Sequence, residues 1–194
     1  MSLYLASRSP RRRELLDQIG MSYDCLDVEI NEDWDGIEQA RDYVARLAIG
    51  KAQAGYAQLS SDLKADEKNV VLGADTSVVL DDQILGKATT DFEAREMLTL
   101  LSGCCHDVFT GVALVGSEER VIVNHNKVFF RVLTSKECHQ YCATGEPLGK
   151  AGGYAIQGMG ALFVERVEGS YSGVMGLPLF ETAALLRSAD LKVL

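Results

Sequence analysis

The chain has 194 residues, 47% of them hydrophobic and 24% charged, with a formal net charge of −9 at pH 7. That length fits one domain, or two closely packed lobes, around a sizeable core, and the acidic balance argues against non-specific binding to nucleic acid or an anionic membrane. No window approaches the ~20 apolar residues that span a bilayer, no signal-peptide pattern opens the chain, and the five cysteines form no C-x-x-C pair, so a cytosolic protein without a disulfide framework is expected.

Leu3 to Ala6 is a short apolar run that reads as a buried strand. Ser9 suits an N-cap and Pro10 the first helical position, so a helix follows through Leu15, Leu16 and Ile19 and stops at Gly20. Its first turn carries Arg11, Arg12 and Arg13. Cations there oppose the helix dipole, unless an anion docks on the loop and the free N–H groups. The cluster therefore reads either as a phosphate site or as a basic surface turn. Tyr23 to Leu26 is a second short strand, followed by an acidic loop, Asp27 to Asp35, holding Glu29, Glu32 and Trp34. Ile37 to about Leu59 is a long helix with Ala40, Val44, Leu47, Lys51 and Ala54 on one stripe. Asp62 to Lys68 reads as a charged turn. Val70-Val71-Leu72 and Val78-Val79-Leu80 form a buried strand pair, or one long strand broken at its middle. Asp81-Asp82 is a hairpin-like turn. Asp91 is expected to cap a helix that ends at Leu101-Ser102-Gly103. Val108 to Val115 and Val121 to Val132 read as long antiparallel strands, with Cys104-Cys105 as strand entry. Thr134-Ser135-Lys136-Glu137 is a capping box for a helix that buries Cys138 and Cys142. A glycine-rich segment runs from Gly145 to Gly160, Leu162 to Val167 is a strand, and Leu177-Pro178 opens a final helix to about Arg187. This mixture predicts an α/β or α+β sheet protein.

Several polar residues stand where the pattern calls for apolar ones. Asp75 lies at the centre of the apolar stretch from Leu72 to Val78. A carboxylate there must be paired, metal-bound or turned to a cleft. Gly73 marks a bulge or a close backbone approach, and Thr76 adds a hydroxyl. Lys51 sits on the inward stripe of its helix, where a snorkelling side chain is the ordinary explanation. Lys87 in Leu85-Gly86-Lys87 reads as a loop lysine. The run Lys150-Ala151-Gly152-Gly153-Tyr154-Ala155-Ile156-Gln157-Gly158 matches neither G-x-G-x-x-G nor a Walker loop. Its glycines allow close approach to a ligand, and the Gln157 amide both donates and accepts, as reading a base edge requires. A tight turn packed on Tyr154 is the alternative.

Taken in order, Leu5-Ala6-Ser7-x-Ser9-Pro10-Arg11-Arg12, Leu47-Ala48-x-x-Lys51-Ala52, Gly73-Ala74-Asp75-Thr76, Gly86-Lys87, Leu101-Ser102-Gly103, Lys150-Ala151-Gly152-x-Tyr154-x-Ile156-Gln157-Gly158 and Val174-x-Gly176-Leu177-Pro178 resemble the Maf family of nucleoside triphosphate pyrophosphatases. The resemblance runs through essentially the whole chain. Within the family the chain looks most like the branch acting on dTTP and UTP, on Arg11, Thr76 and Gln157. The branch acting on 7-methyl-GTP typically has tryptophan in place of Arg11 and glutamine in place of Thr76.

The resemblance implies an elongated α/β fold, a mixed sheet with flanking helices in one Maf/ITPase-like domain over residues 1–194. Two lobes would flank a nucleotide-binding cleft, and the protein would be a cytoplasmic homodimer. It implies hydrolysis of a nucleoside triphosphate to the monophosphate and pyrophosphate with a divalent cation, Mg²⁺ or Mn²⁺. Asp75 would be the general base. Ser7, Arg12, Lys51 and Lys87 would hold the triphosphate, and Glu32 with Asp75 the metal. Arg11, Thr76 and Gln157 would select the base. The same chemistry on a modified purine nucleotide, and a nucleotide-binding regulator of septum formation, are the alternatives. The chain departs from the family pattern at Ala88, where proline usually follows Gly-Lys and a less rigid Lys87 loop is implied. It departs also at Asn31, where an acidic residue is common, and at Ser172-Gly173.

Overall fold

The apolar run Leu3–Ala6 forms the first strand, β1, every residue buried, and Pro10–Gln18 forms helix α1. A computed structural model of the chain describes residues 2–65 and 69–193. Gly20, at φ +68°, turns the chain out of α1, with its N–H bonded to Asp17 O and that of Met21 to Leu16 O. Ser9 holds the N-cap place but makes no side-chain capping bond. Strand β2 is Tyr23–Leu26 and helix α2 is Ala40–Gln58, which starts later than the expected Ile37. A short helix, α3, Ser61–Ala65, replaces the first part of the expected charged turn; residues 66–68 of that turn lie outside the described residues.

Val70–Leu80 is one continuous strand, β3, unbroken at Gly73. Asp81 and Asp82 take positive φ of 49° and 64° and return the chain into β4, Gln83–Leu85, antiparallel to β3. Helix α4, Asp91–Leu101, is capped by Thr90 and not by Asp91: Thr90 Oγ1 accepts the Glu93 N–H at 3.2 Å. The long strands are β5, Cys105–Val115, and β6, Glu119–Phe130, and the capping box of Thr134 and Glu137 opens α5, Ser135–Cys142. Met159–Phe163 is a 3₁₀ turn, so Leu162 and Phe163 do not belong to the next strand, β7, Val164–Glu168. Helix α6, Tyr171–Met175, was not foreseen in the sequence, and α7 spans Leu179–Ser188 with Pro178 at its N-cap.

The strands form one seven-stranded mixed sheet in the order β2-β1-β3-β5-β6-β7, with β4 paired to β3 alone. Strand β1 is parallel to both neighbours, Leu3 opposite Tyr23 and Val70, Ala6 opposite Leu26 and Gly73. Helices α1 and α2 supply the crossovers that parallel pairing needs. This is the expected α/β class. The chain divides into two compact units. The first comprises Met1–Asp75, Thr110–Asn124 and Gly176–Leu194; the second comprises Thr76–Phe109 and His125–Met175.

In the first unit α2 lies on the sheet through its smallest residues. A Cβ at Gly73 would stand 2.3 Å from Ala48 O and 2.6 Å from Ala52 N, so only glycine lets helix and strand approach this closely. Val44, Leu47, Ala48, Lys51, Ala52 and Gly55 form the buried face of the helix. Lys51 is thus inside, as its stripe position implied, while Ala40 and Ala54 sit at the margin.

The second unit has its own core, which includes Leu98, Leu101, Val128, Phe130, Tyr141, Tyr154 and Phe163. His106 is 1% exposed within this unit, edge-on to Phe130, with Nε2 2.8 Å from the Tyr154 hydroxyl and no hydrogen-bond partner for Nδ1. Burial lowers its pKa from 6.5 to about 4. The unfolded chain therefore binds this proton at higher pH than the native one, and His106 makes stability fall as pH drops from about 6.5 to 4. The loss should be on the order of 3 kcal/mol at most. Denaturant unfolding at pH 7 and 4.5 should show it in the wild type and a smaller loss in His106→Gln; equal losses would mean that other groups titrate.

Candidate active site

The pleat of β3 decides where Asp75 points. Residues two apart share a face of a strand, so Asp75 shares the face of Gly73, the one against which α2 is packed. Lys51 projects from that helix, and its Nζ lies 2.7 Å from Asp75 Oδ1. The same Nζ lies 2.7 Å from Glu32 Oε1 in the acidic loop. Asp75 is 5% exposed and Lys51 8%, so this is a buried carboxylate–ammonium pair with a third, half-buried partner. Thr76, next along the strand, turns to the opposite face.

The loop that bears Glu32 has no regular structure and is pinned from α2. The Tyr43 hydroxyl donates to Glu32 O at 2.6 Å, Arg46 donates to both oxygens of Glu38 and to Asp33 O, and Trp34 Nε1 donates to Glu38 O. Burial, helped by the charges of Asp75 and Glu32, pushes the Tyr43 phenol up to about 12, so it stays a donor. Arg8 clamps the start of the loop through Asp27 and Glu29.

The arginine cluster at α1 is not uniform. Arg13 is exposed, Arg11 half-buried and Arg12 buried. Arg12 Nε donates to Gly176 O at 2.8 Å and Nη1 to Ser7 Oγ at 3.1 Å. Burial lowers the Arg12 pKa, against the pull of the Asp75 charge. Ser7 Oγ also accepts from the Ser9 N–H at 3.2 Å. Both acceptor positions of that hydroxyl are taken, which leaves its proton to donate outward. Ser7, Arg12, Glu32, Lys51 and Asp75 therefore gather in the first unit, with Arg11 on the same helix turn as Arg12.

Lys87 and Gln157 belong to the second unit, which Thr76 opens. Lys87 is exposed and pairs as a β-bridge with Ala151 of the glycine run. At position 88, where the family pattern has proline, the alanine backbone takes part in the hydrogen bonds of this loop. Ala88 N–H donates to Lys150 O at 3.2 Å, a bond proline cannot make. Gly149 N–H donates to Ala88 O at 2.8 Å and Gly152 N–H to Gly86 O at 3.2 Å. Asn31 uses its Oδ1 to accept the Asp33 N–H at 2.7 Å, and the Gly173 N–H donates to Ser170 Oγ at the start of α6. Gln157 is exposed between the buried Ile156 and the half-buried Gly158.

Sequence reasoning missed Tyr43, Arg46 and the carbonyl of Gly176. The last lay inside a recognised motif, but nothing in a glycine's identity says that its oxygen anchors an arginine. Tyr43 stands two turns before Lys51 on α2, the one hint that it faces the same loop.

A family model described as Maf-like protein matches residues 2–189. A dTTP/UTP pyrophosphatase of Alkalilimnicola ehrlichii is 53% identical over 184 residues, 95% of this chain and 91% of that one. One of Vibrio parahaemolyticus is 49% identical over 188 residues, 96% of each chain. The solved structure of the Staphylococcus aureus Ham1 protein aligns over 67% of this chain and 72% of its own, with 14% identity and a TM-score of 0.46.

Proposed function

This chain belongs to the Maf family, and on that premise we propose that it is a nucleoside triphosphate pyrophosphatase acting on dTTP and UTP. The observation that carries the reading is the Asp75 carboxylate, buried in the middle of an apolar strand and held by Lys51 at 2.7 Å. A structural aspartate would not need a second carboxylate, Glu32, on the same ammonium. A catalytic one gains from it: Lys51 is fixed between two anions and in turn fixes Oδ1, leaving Oδ2 to take a proton.

In the reaction, water attacks the α-phosphorus in line with the bridging oxygen to the β-phosphate. The new O–P bond forms as the old one breaks, pyrophosphate leaves, and the water's proton passes to Asp75. Ser7, by its free O–H, and Arg12, locked by Gly176 O, supply donors for the phosphate oxygens. Lys87 is carried by the braced loop of the second unit. The role of Arg11, Thr76 and Gln157 in selecting the base rests on the family resemblance.

The residues present fit a divalent cation. Two carboxylates converge on one cationic atom, and Mg²⁺ takes one or two carboxylates, with water and phosphate oxygens filling its other positions. Among the described residues no group of three His, Cys, Asp or Glu forms a cage, so Asp75 and Glu32 would hold the ion. It would neutralise charge on the triphosphate.

The test is product analysis with dTTP, UTP, CTP, GTP, ITP and 7-methyl-GTP. Pyrophosphate, not orthophosphate, should appear from dTTP and UTP. Purine turnover instead would refute the base assignment, and orthophosphate would refute the reaction.

A further inference from the structure

The turn that carries Gln157 is bonded at both ends to one phenol–carboxylate pair that the proposed chemistry does not use. Tyr141, on α5 and 3% exposed, donates through its hydroxyl to Glu146 Oε1 at 2.8 Å. The same hydroxyl accepts the Ala155 N–H at 3.1 Å. Glu146 Oε1 also accepts the Gly160 N–H and Oε2 the Met159 N–H, each at 3.0 Å. The pair thus grips the chain two residues before Gln157 and again two and three residues after it. The space is made for it: a Cβ at Gly158 would lie 2.4 Å from Glu146 Oε2, and one at Gly160 would lie 2.9 Å from the Tyr141 hydroxyl.

The protonation states match this geometry. Burial would push the Glu146 carboxyl up, but the N–H groups of Met159 and Gly160 and the Tyr141 hydroxyl outweigh it and hold the carboxyl below its usual value. Burial, with Glu146 beside it, pushes the Tyr141 phenol up. At neutral pH a carboxylate acceptor therefore meets a phenol donor.

Base discrimination gives such a clamp a purpose. Uracil and thymine offer an N–H donor flanked by carbonyl acceptors; cytosine offers a ring-nitrogen acceptor beside an amino donor. A glutamine amide suits either, because half a turn about its last bond exchanges its oxygen and its NH₂. Gln157 discriminates only if its backbone and its amide are held in one orientation. We propose that Glu146 and Tyr141 are positioning residues for base selection, which hold the Ala155–Gly160 turn so that Gln157 presents one edge of its amide. This rests on the reading above that Gln157 contacts the base.

The test compares kcat/KM for UTP, dTTP and CTP in the wild type, Glu146→Gln, Tyr141→Phe and Gln157→Ala. Glu146→Gln keeps shape but sets an NH₂ against a backbone N–H. Tyr141→Phe keeps the ring in the core and removes only the hydroxyl. In both, the UTP-to-CTP ratio should fall about tenfold or more, through a lower KM for CTP and a higher one for UTP, towards the value of Gln157→Ala. An unchanged ratio in both clamp variants, with a collapsed one in Gln157→Ala, overturns the proposal. So does an equal loss on all three nucleotides, the mark of a merely structural role. An unchanged ratio in Gln157→Ala overturns the assignment of Gln157 itself, and the clamp's purpose with it. If Glu146→Gln does not fold, Tyr141→Phe decides alone.

Discussion

Asp75→Asn should lower turnover of dTTP and UTP by on the order of 10²–10⁴-fold, the usual contribution of a positioned general base. The substitution is close to isosteric, so it isolates chemistry from packing. Asparagine keeps a carbonyl oxygen to accept from Lys51 Nζ, which now sits 2.7 Å from Oδ1. What it loses is the negative charge, and with it the ability to take a proton from water and one of the two carboxylates proposed to hold the cation. Ser7 and Arg12, the groups proposed to bind phosphate, hydrogen-bond to each other, and Arg12 to Gly176 O, without using the Asp75 carboxylate. Nucleotide binding should therefore persist while kcat falls, a split that steady-state kinetics with a separate binding measurement resolves. Turnover within a few-fold of the wild type would remove Asp75 from the mechanism.

Lys51→Met should be costly to both fold and function. The substitution keeps an unbranched stem and deletes the charge. It leaves Asp75, with a side chain 7% exposed, as a buried carboxylate without its hydrogen-bonded counter-ion. Breaking a buried pair by removing one partner typically costs about 3–5 kcal/mol, because the remaining charge has lost water and gained nothing. Glu32 is more exposed, at 39% of its side chain, and can turn to solvent, so the loss should lie near the lower end of that range. Activity should also disappear, since nothing then fixes Asp75 Oδ1. The pairing makes a second, sharper expectation. Lys51→Met together with Asp75→Asn should be less destabilised than the sum of the two single variants, because the second change removes the charge stranded by the first. Denaturant unfolding of the four proteins measures this. A loss under about 0.5 kcal/mol for Lys51→Met would mark an ordinary snorkelling lysine with no buried pair.

Both residues were visible in the sequence as breaks in pattern: a carboxylate in the middle of an apolar strand, an ammonium on the inward stripe of a helix. That they meet was not. The meeting depends on how closely α2 approaches β3, which Gly73 permits because a Cβ there would lie only 2.3 Å from Ala48 O, and no periodicity encodes a distance. Strand and helix placement followed the apolar pattern well, as at β1 and at the Thr134 capping box, where short-range chemistry decides. It failed where weak local signals compete. Asp91 looked like a cap, but Thr90 had the right offset from Glu93. Leu162 and Phe163 looked like strand, but the backbone bond from Val164 N–H to Ala161 O winds them into a 3₁₀ turn. Of the supporting residues, Tyr43 acts on the Glu32 carbonyl and Arg12 is held by the Gly176 carbonyl. Backbone acceptors are the same in every residue, so such contacts leave no trace in residue identity.

The most direct measurement is hydrolysis of dTTP in water enriched in oxygen-18, with the label located in the products by mass spectrometry. Attack of an Asp75-activated water on the α-phosphorus puts one labelled oxygen in dTMP and none in pyrophosphate. Label in pyrophosphate would mean attack at the β-phosphorus, and label in orthophosphate would mean release of the terminal phosphate. Either result would contradict the reaction assigned to this site.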